Sequence, residues 1–103
     1  MSQIIRMTLF KLSDAAVIQE AIQKYSTLTQ DAVKDGKPYI QQATAHRLYD
    51  DPRSQGYTLA ARTVFNSKAD MDFYDNECAA HTAIKSFIKP KVGGPSLVTY
   101  MDA

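Results

Sequence analysis

Apolar and polar positions alternate with period two in several stretches of the chain and recur at helical spacing between them. From residue 3 to residue 11, Ile5, Met7 and Leu9 fall on one side and Ile4, Arg6, Thr8 and Phe10 on the other, as in a strand. Ser13 or Asp14 then offers a cap for a helix whose Val17, Ile18, Ala21, Ile22, Tyr25, Leu28, Ala32 and Val33 recur at helical spacing. Gly36 suits a left-handed stop to that helix, with Pro38 just beyond. A second strand is expected between Pro38 and Tyr49, but its alternation is weak and its faces stay unassigned. The run from Asp50 to Gly56 has the composition of a loop, and seven residues can join two strands as an antiparallel hairpin. The third strand, Tyr57 to Phe65, sets Tyr57, Leu59, Ala61, Thr63 and Phe65 on an apolar face against a mixed one.

Ser67 and Asp70 have the spacing of a capping box, with the serine holding the backbone N–H of Asp70 and the aspartate reaching back. The helix that starts there carries Met71 and Tyr74 on one side, and Asp75 with Asn76 offers a second cap. From Glu77 onward, Ala80, Ile84, Phe87 and Ile88 mark one stripe. His81 lies three residues before Ile84 and seven before Ile88, so it faces the core side. Pro90 stops this helix, Gly93, Gly94 and Pro95 make a turn, and Ser96 to Met101 closes the chain as a strand. Strand, helix, strand, strand, helices, strand is the order of a ferredoxin-like α+β layer, a four-stranded antiparallel sheet with its helices on one face. The first and last strands are apolar on both faces, so the face without helices needs a cover. A second copy supplies it most simply, through a contact of at least ~1,000 Å².

Composition narrows the possible partners. At 103 residues, 45% hydrophobic and 22% charged, the chain fits one soluble domain spanning 1–103. A net charge of +1 with scattered cations argues against nucleic acid or an anionic membrane as the main partner. The lone Cys78 excludes an internal disulfide and reads as a small packed side chain. No apolar run approaches the ~20 residues of a membrane span, and the N-terminus lacks the pattern of a signal peptide, so a cytosolic location is expected. No phosphate loop, dinucleotide fingerprint or metal-ligand spacing is present, and no cofactor or metal is expected; His46 reads as a surface or barrel-mouth residue.

His81 is the candidate for chemistry. A histidine titrating near neutrality can take a proton alpha to a carbonyl and return it. A tyrosine hydroxyl nearby can hydrogen-bond the developing enolate, and an arginine can stabilise its charge more strongly. Packing alone also accounts for one histidine on an apolar stripe and for Tyr74 in a core, and Arg6 near the start of its strand can reach solvent.

Leu9, Phe10 and Lys11, then Gly56 and Tyr57 opening the third strand, Phe65 before a polar capping turn, Tyr74, and an alanine then His81 on the next helix occur in a telling order. With the closing apolar strand, they resemble the stress-responsive A/B-barrel domain family, a dimeric α+β barrel, over nearly the whole chain. The resemblance implies a homodimer closed through the open sheet face, with a small pocket between sheet and helices in each subunit. One plant branch of that family is a cofactor-free polyketide cyclase with a helix histidine as base and a tyrosine that positions or donates; His81 and Tyr74 match these two. The match departs in three places. Glu77, Cys78, Ala79 and Ala80 replace a frequent His-Pro-x-His run, Arg6 stands for a first-strand histidine, and Leu59 stands for a third-strand one. What it implies here is proton transfer on an aromatic or polyketide-like molecule, a cyclase, lyase or isomerase reaction. His81 and Tyr74 would be catalytic, with Arg6, Thr8, Phe10, Leu59 and Ile84 around the substrate. The alternative is a non-catalytic dimer that binds a hydrophobic ligand or protects under stress. An open pocket of roughly 300 Å³ beside His81 favours the enzyme; a filled interior favours the alternative. Related barrels that degrade haem or oxidise quinone precursors usually carry a pocket tryptophan and asparagine, and this chain has no tryptophan.

Overall fold

The computed structural model describes residues 2–103. Its main sheet is built from β1 (Ile4–Phe10), β4 (Ile40–Arg47), β5 (Leu59–Phe65) and β6 (Leu97–Asp102), all antiparallel, in the spatial order β4-β5-β1-β6. Helices α1 (Ala15–Ser26), α2 (Leu28–Asp31), α3 (Lys68–Asn76) and α4 (Ala79–Ile88) pack on one face. This is the ferredoxin-like α+β layer expected from the periodicity.

Local chemistry explains the element ends. Asp14, extended at φ −92°, accepts from the N–H groups of Ala16 and Val17 and starts α1. The predicted long helix breaks after Ser26, and α2 ends at Asp31 instead of running on to Val33. Asp35 and Gly36, both at positive φ, then form the turn of a small hairpin between β2 (Val33–Lys34) and β3 (Lys37–Pro38). Two consecutive positive φ values are the requirement of a tight hairpin turn, so Gly36 serves a hairpin and not a helix stop. In β4 the pairing register slips between Ile40 and Gln42. The extra residue interrupts the alternation, which is why its faces could not be assigned from the pattern.

The register divides the sheet into two faces. Arg6, Thr8 and Phe10 of β1 share the helix-covered face with Leu59, Ala61, Thr63 and Phe65 of β5. Ile5, Met7 and Leu9 point to the other side, with Leu97 and Met101 of β6 beside Leu9 and Ile5. That second face has no helix over it, and Leu97 and Met101 are exposed. No helix among the described residues is long and apolar enough to cross a membrane.

Candidate active site

The side chains singled out by sequence meet where α3 ends and α4 begins, above β1 and β5. Ser67 caps α3 by accepting from the Asp70 N–H at 3.1 Å, as expected. The Asp70 carboxylate does not complete the box; it takes the Lys34 ammonium at 2.9 Å. Nor do Asp75 and Asn76 cap the next helix, because the N-cap position of α4 is Cys78, which makes no side-chain cap bond. Asp75 turns inward to Arg6 instead.

The helix break decides the geometry. On one straight helix, residues seven apart would be separated by ~10.5 Å along the axis. With the chain broken between Asn76 and Ala79, the Tyr74 and His81 rings stack face to face, 3.6 Å between centroids and 7° from parallel. His81 is 3% exposed and Tyr74 fully buried, so both face the core as predicted. The carbonyl of Tyr74 lies in the last turn of α3, where no intrahelical N–H reaches it. His81 Nδ1 sits 2.9 Å from it. A carbonyl can only accept, so Nδ1 carries the proton and the neutral ring keeps a lone pair on Nε2. Nε2 has no hydrogen-bond partner among the described residues. Burial favours the uncharged ring and pulls the pKa down to about 4; the Tyr74 carbonyl opposes the shift, and Arg6 and Lys85 reinforce it.

Arg6 does not reach solvent. It is 6% exposed, donates from Nη1 to Thr8 Oγ1 at 2.7 Å and from Nη2 to Asp75 Oδ1 at 2.8 Å, and lies 5.2 Å from the centre of the Tyr74 ring. Three buried polar atoms nearby have no partner among the described residues: Arg6 Nε, Tyr74 Oη and Thr63 Oγ1, the last on the residue paired with Arg6 across the sheet. The Tyr25 hydroxyl approaches Tyr74 Oη, but not with the geometry of a hydrogen bond, so the Tyr74 hydroxyl stays unpaired. Burial pushes the Tyr25 phenol up to about 12 and raises that of Tyr74 further, the Arg6 charge opposing both shifts. Both hydroxyls are therefore donors, not phenolates, at neutral pH.

Thr8, Phe10, Leu59 and Ile84 are buried with the central residues, but they do not enclose an open pocket beside His81. The phenol of Tyr74 fills that space, stacked on His81 and tilted against Phe65 at 5.1 Å. Five surface cavities of about 230 to 560 Å³ are lined by none of Arg6, Tyr74 and His81. Phe10 and Ile84 line two separate ones. None of these five cavities opens beside His81, where the enzyme reading places its pocket. Pattern reading missed Asp75, Tyr25 and Thr63, which it had given to a cap, a helix stripe and a strand face; only the tertiary register brings them to Arg6 and Tyr74. His46 is exposed on β4, Cys78 is packed, and no three metal-ligating side chains converge among the described residues.

The profile of the stress responsive A/B barrel domain matches residues 4–101. The chain belongs to that family. A curated relative from Gibberella zeae, a Fusaristatin A biosynthesis cluster protein, is 35% identical over 83 residues. That stretch is 81% of this chain but 60% of the relative, so the chain spans less than two thirds of its length. Among solved structures, a dimeric protein of unknown function and ferredoxin-like fold from Bacteroides fragilis superposes with a TM-score of 0.79 at 14% identity, covering 98% of this chain and 96% of that one. The hydroxynitrile lyase of Passiflora edulis superposes at 0.76 and 14% identity, covering 99% and 94%. At such identities the likeness is one of fold.

Proposed function

We propose that this A/B-barrel protein is a cofactor-independent enzyme of secondary metabolism that moves a proton on a carbonyl-bearing, aromatic or polyketide-like molecule, working as a homodimer. The observation that carries the reading is the fixed tautomer of His81: with Nδ1–H spent on the Tyr74 carbonyl, Nε2 offers a lone pair inside a low-dielectric site. His81 Nε2 takes the proton alpha to the substrate carbonyl, the electron pair moves to the oxygen, and the enolate is met by the Arg6 cation and the unpaired Tyr74 hydroxyl. Returning the proton from Nε2 to carbon or to a leaving oxygen completes an isomerase, cyclase or lyase step. Substrate must displace the Tyr74 ring from its resting stack, so Tyr74 is both donor and lid. The biosynthesis-cluster relative supports a role in secondary metabolism, and the dimeric neighbour supports closure of the open sheet face by a second copy.

That none of the five cavities opens beside His81 favours a second reading, a non-catalytic dimer whose His81 is spent capping α3. The two separate in one experiment. Solvent deuterium incorporation alpha to the carbonyl is followed across a panel of aromatic and polyketide-like β-dicarbonyl compounds, for wild type and for His81→Ala. Exchange that His81→Ala lowers by at least ~100-fold with the fold intact supports the enzyme. Equal rates in the two proteins contradict it.

A further inference from the structure

A groove of about 230 Å³ runs between the C-terminal half of α4 and the turn into β6. Phe10, Ile88, Val92 and Pro95 line it together with Lys85 and Lys89, and no carboxylate borders it. Lys85 lies in the last turn of α4 and Lys89 four residues on, at its C-cap, and neither is in an ion pair among the described residues. Lys85 Nζ meets the Asp75 carbonyl at 3.2 Å, which leaves its charge uncompensated. Cations near a helix C-terminus are favourable in themselves. That accounts for the two lysines and not for an apolar trench left open beside them.

Two of its lining residues, Phe10 and Ile88, also belong to the hydrophobic core. Phe10 lies on the strand face of Arg6 and Thr8, and Ile88 lies on the buried stripe of His81 and Ile84. We propose that this groove is a binding site for an amphipathic monoanion of the medium-chain carboxylate class, its apolar tail between Phe10, Ile88, Val92 and Pro95 and its head on the Lys85 and Lys89 ammonium groups. The proposal extends the ligand class of the proposed function to a defined place, and it stands whether or not proton transfer occurs at His81.

The test is a titration of isotope-labelled full-length chain with monomeric decanoate, read by amide chemical shifts. The expected result is a saturable shift centred on Phe10, Ile88, Val92 and Ser96. From hexanoate upward, affinity gains about fourfold per methylene until the groove is full. The paired substitutions Lys85→Gln and Lys89→Gln weaken decanoate about tenfold and leave decanol unaffected. Ser96→Phe, which fills the groove from its exposed edge, removes binding while the circular dichroism spectrum is kept. Absence of saturation overturns the site. So do shifts centred on Met7 and the open sheet, decanol binding as tightly as decanoate, or groove shifts produced by raising protein concentration alone, which would assign the groove to a second copy. His81→Ala leaves decanoate affinity unchanged, so loss of α-proton exchange with retained decanoate binding sinks the catalytic reading and spares this one.

Discussion

His81 is held neutral by what surrounds it, and that has a consequence for stability. An unfolded histidine titrates near 6.5, whereas the buried ring titrates near 4. Between those values the unfolded chain binds a proton that the folded chain refuses, so stability falls as pH drops through the window. The loss is about 3 kcal/mol when the window has been crossed. Urea midpoints measured from pH 7 to pH 4.5 should fall more steeply for wild type than for His81→Gln, which keeps a donor for the Tyr74 carbonyl but cannot titrate. Parallel curves would show that the ring takes up its proton at the same pH in the folded and the unfolded chain. Tyr74 makes the complementary case: its hydroxyl is buried without a partner, a cost that is recovered when the oxygen is removed. Tyr74→Phe should raise stability by about 1 kcal/mol while slowing α-proton exchange, an opposition that thermal melts and kinetics on the same sample check. A loss in both would mean that the hydroxyl is held by a bond it needs.

At the scale of elements, the break between α3 and α4 does what no single residue does. It brings a tyrosine and a histidine seven positions apart into van der Waals stacking and turns an orphan carbonyl into the group that sets the imidazole tautomer. The inward face of His81 was legible, because the apolar stripe of α4 fixes it by periodicity alone. The partner of Arg6 was not. Asp75 read as a cap from its neighbours in sequence, and only the packing of α3 over β1, 69 residues away along the chain, makes it a counter-ion. Gly36 was misplaced for a similar reason, since positive φ is demanded alike by a helix stop and by a hairpin turn. The hairpin makes a specific demand: Gly36 sits at φ +76° with open space where a Cβ would go, so the strain of Gly36→Ala lies in the backbone alone. The substitution should cost about 1 kcal/mol in denaturant unfolding, and a neutral result would place the turn in another conformation.

For the whole molecule, the asymmetry of the sheet is the governing fact. One face is covered by four helices except along β6, where Val98 and Tyr100 are exposed, and the other presents Ile5, Met7, Leu9, Leu97 and Met101 without cover. The apolar residues on both faces of the first and last strands were readable from alternation, and they led to the expectation of a second copy. That none of the five cavities opens beside His81 was not readable, because it depends on how buried rings such as Tyr74 fill space, which spacing does not specify. Met7 lies near the middle of the bare face, between Arg62 and Thr99 in the neighbouring strands. Burying a carboxylate there against its twin is prohibitive. Met7→Glu should convert a dimer to a monomer in sedimentation velocity at micromolar concentration; an unchanged sedimentation coefficient would mean that copies do not meet through this face.

The central claim, that residue 81 waits as an uncharged base with its far nitrogen free, is tested most directly by imidazole nitrogen chemical shifts in labelled protein followed from pH 7 downward. The expected spectra place the proton on Nδ1, leave Nε2 bare, and show no change of charge until the pH approaches about 4. A proton on Nε2 at neutral pH, or titration close to 6.5, would contradict it.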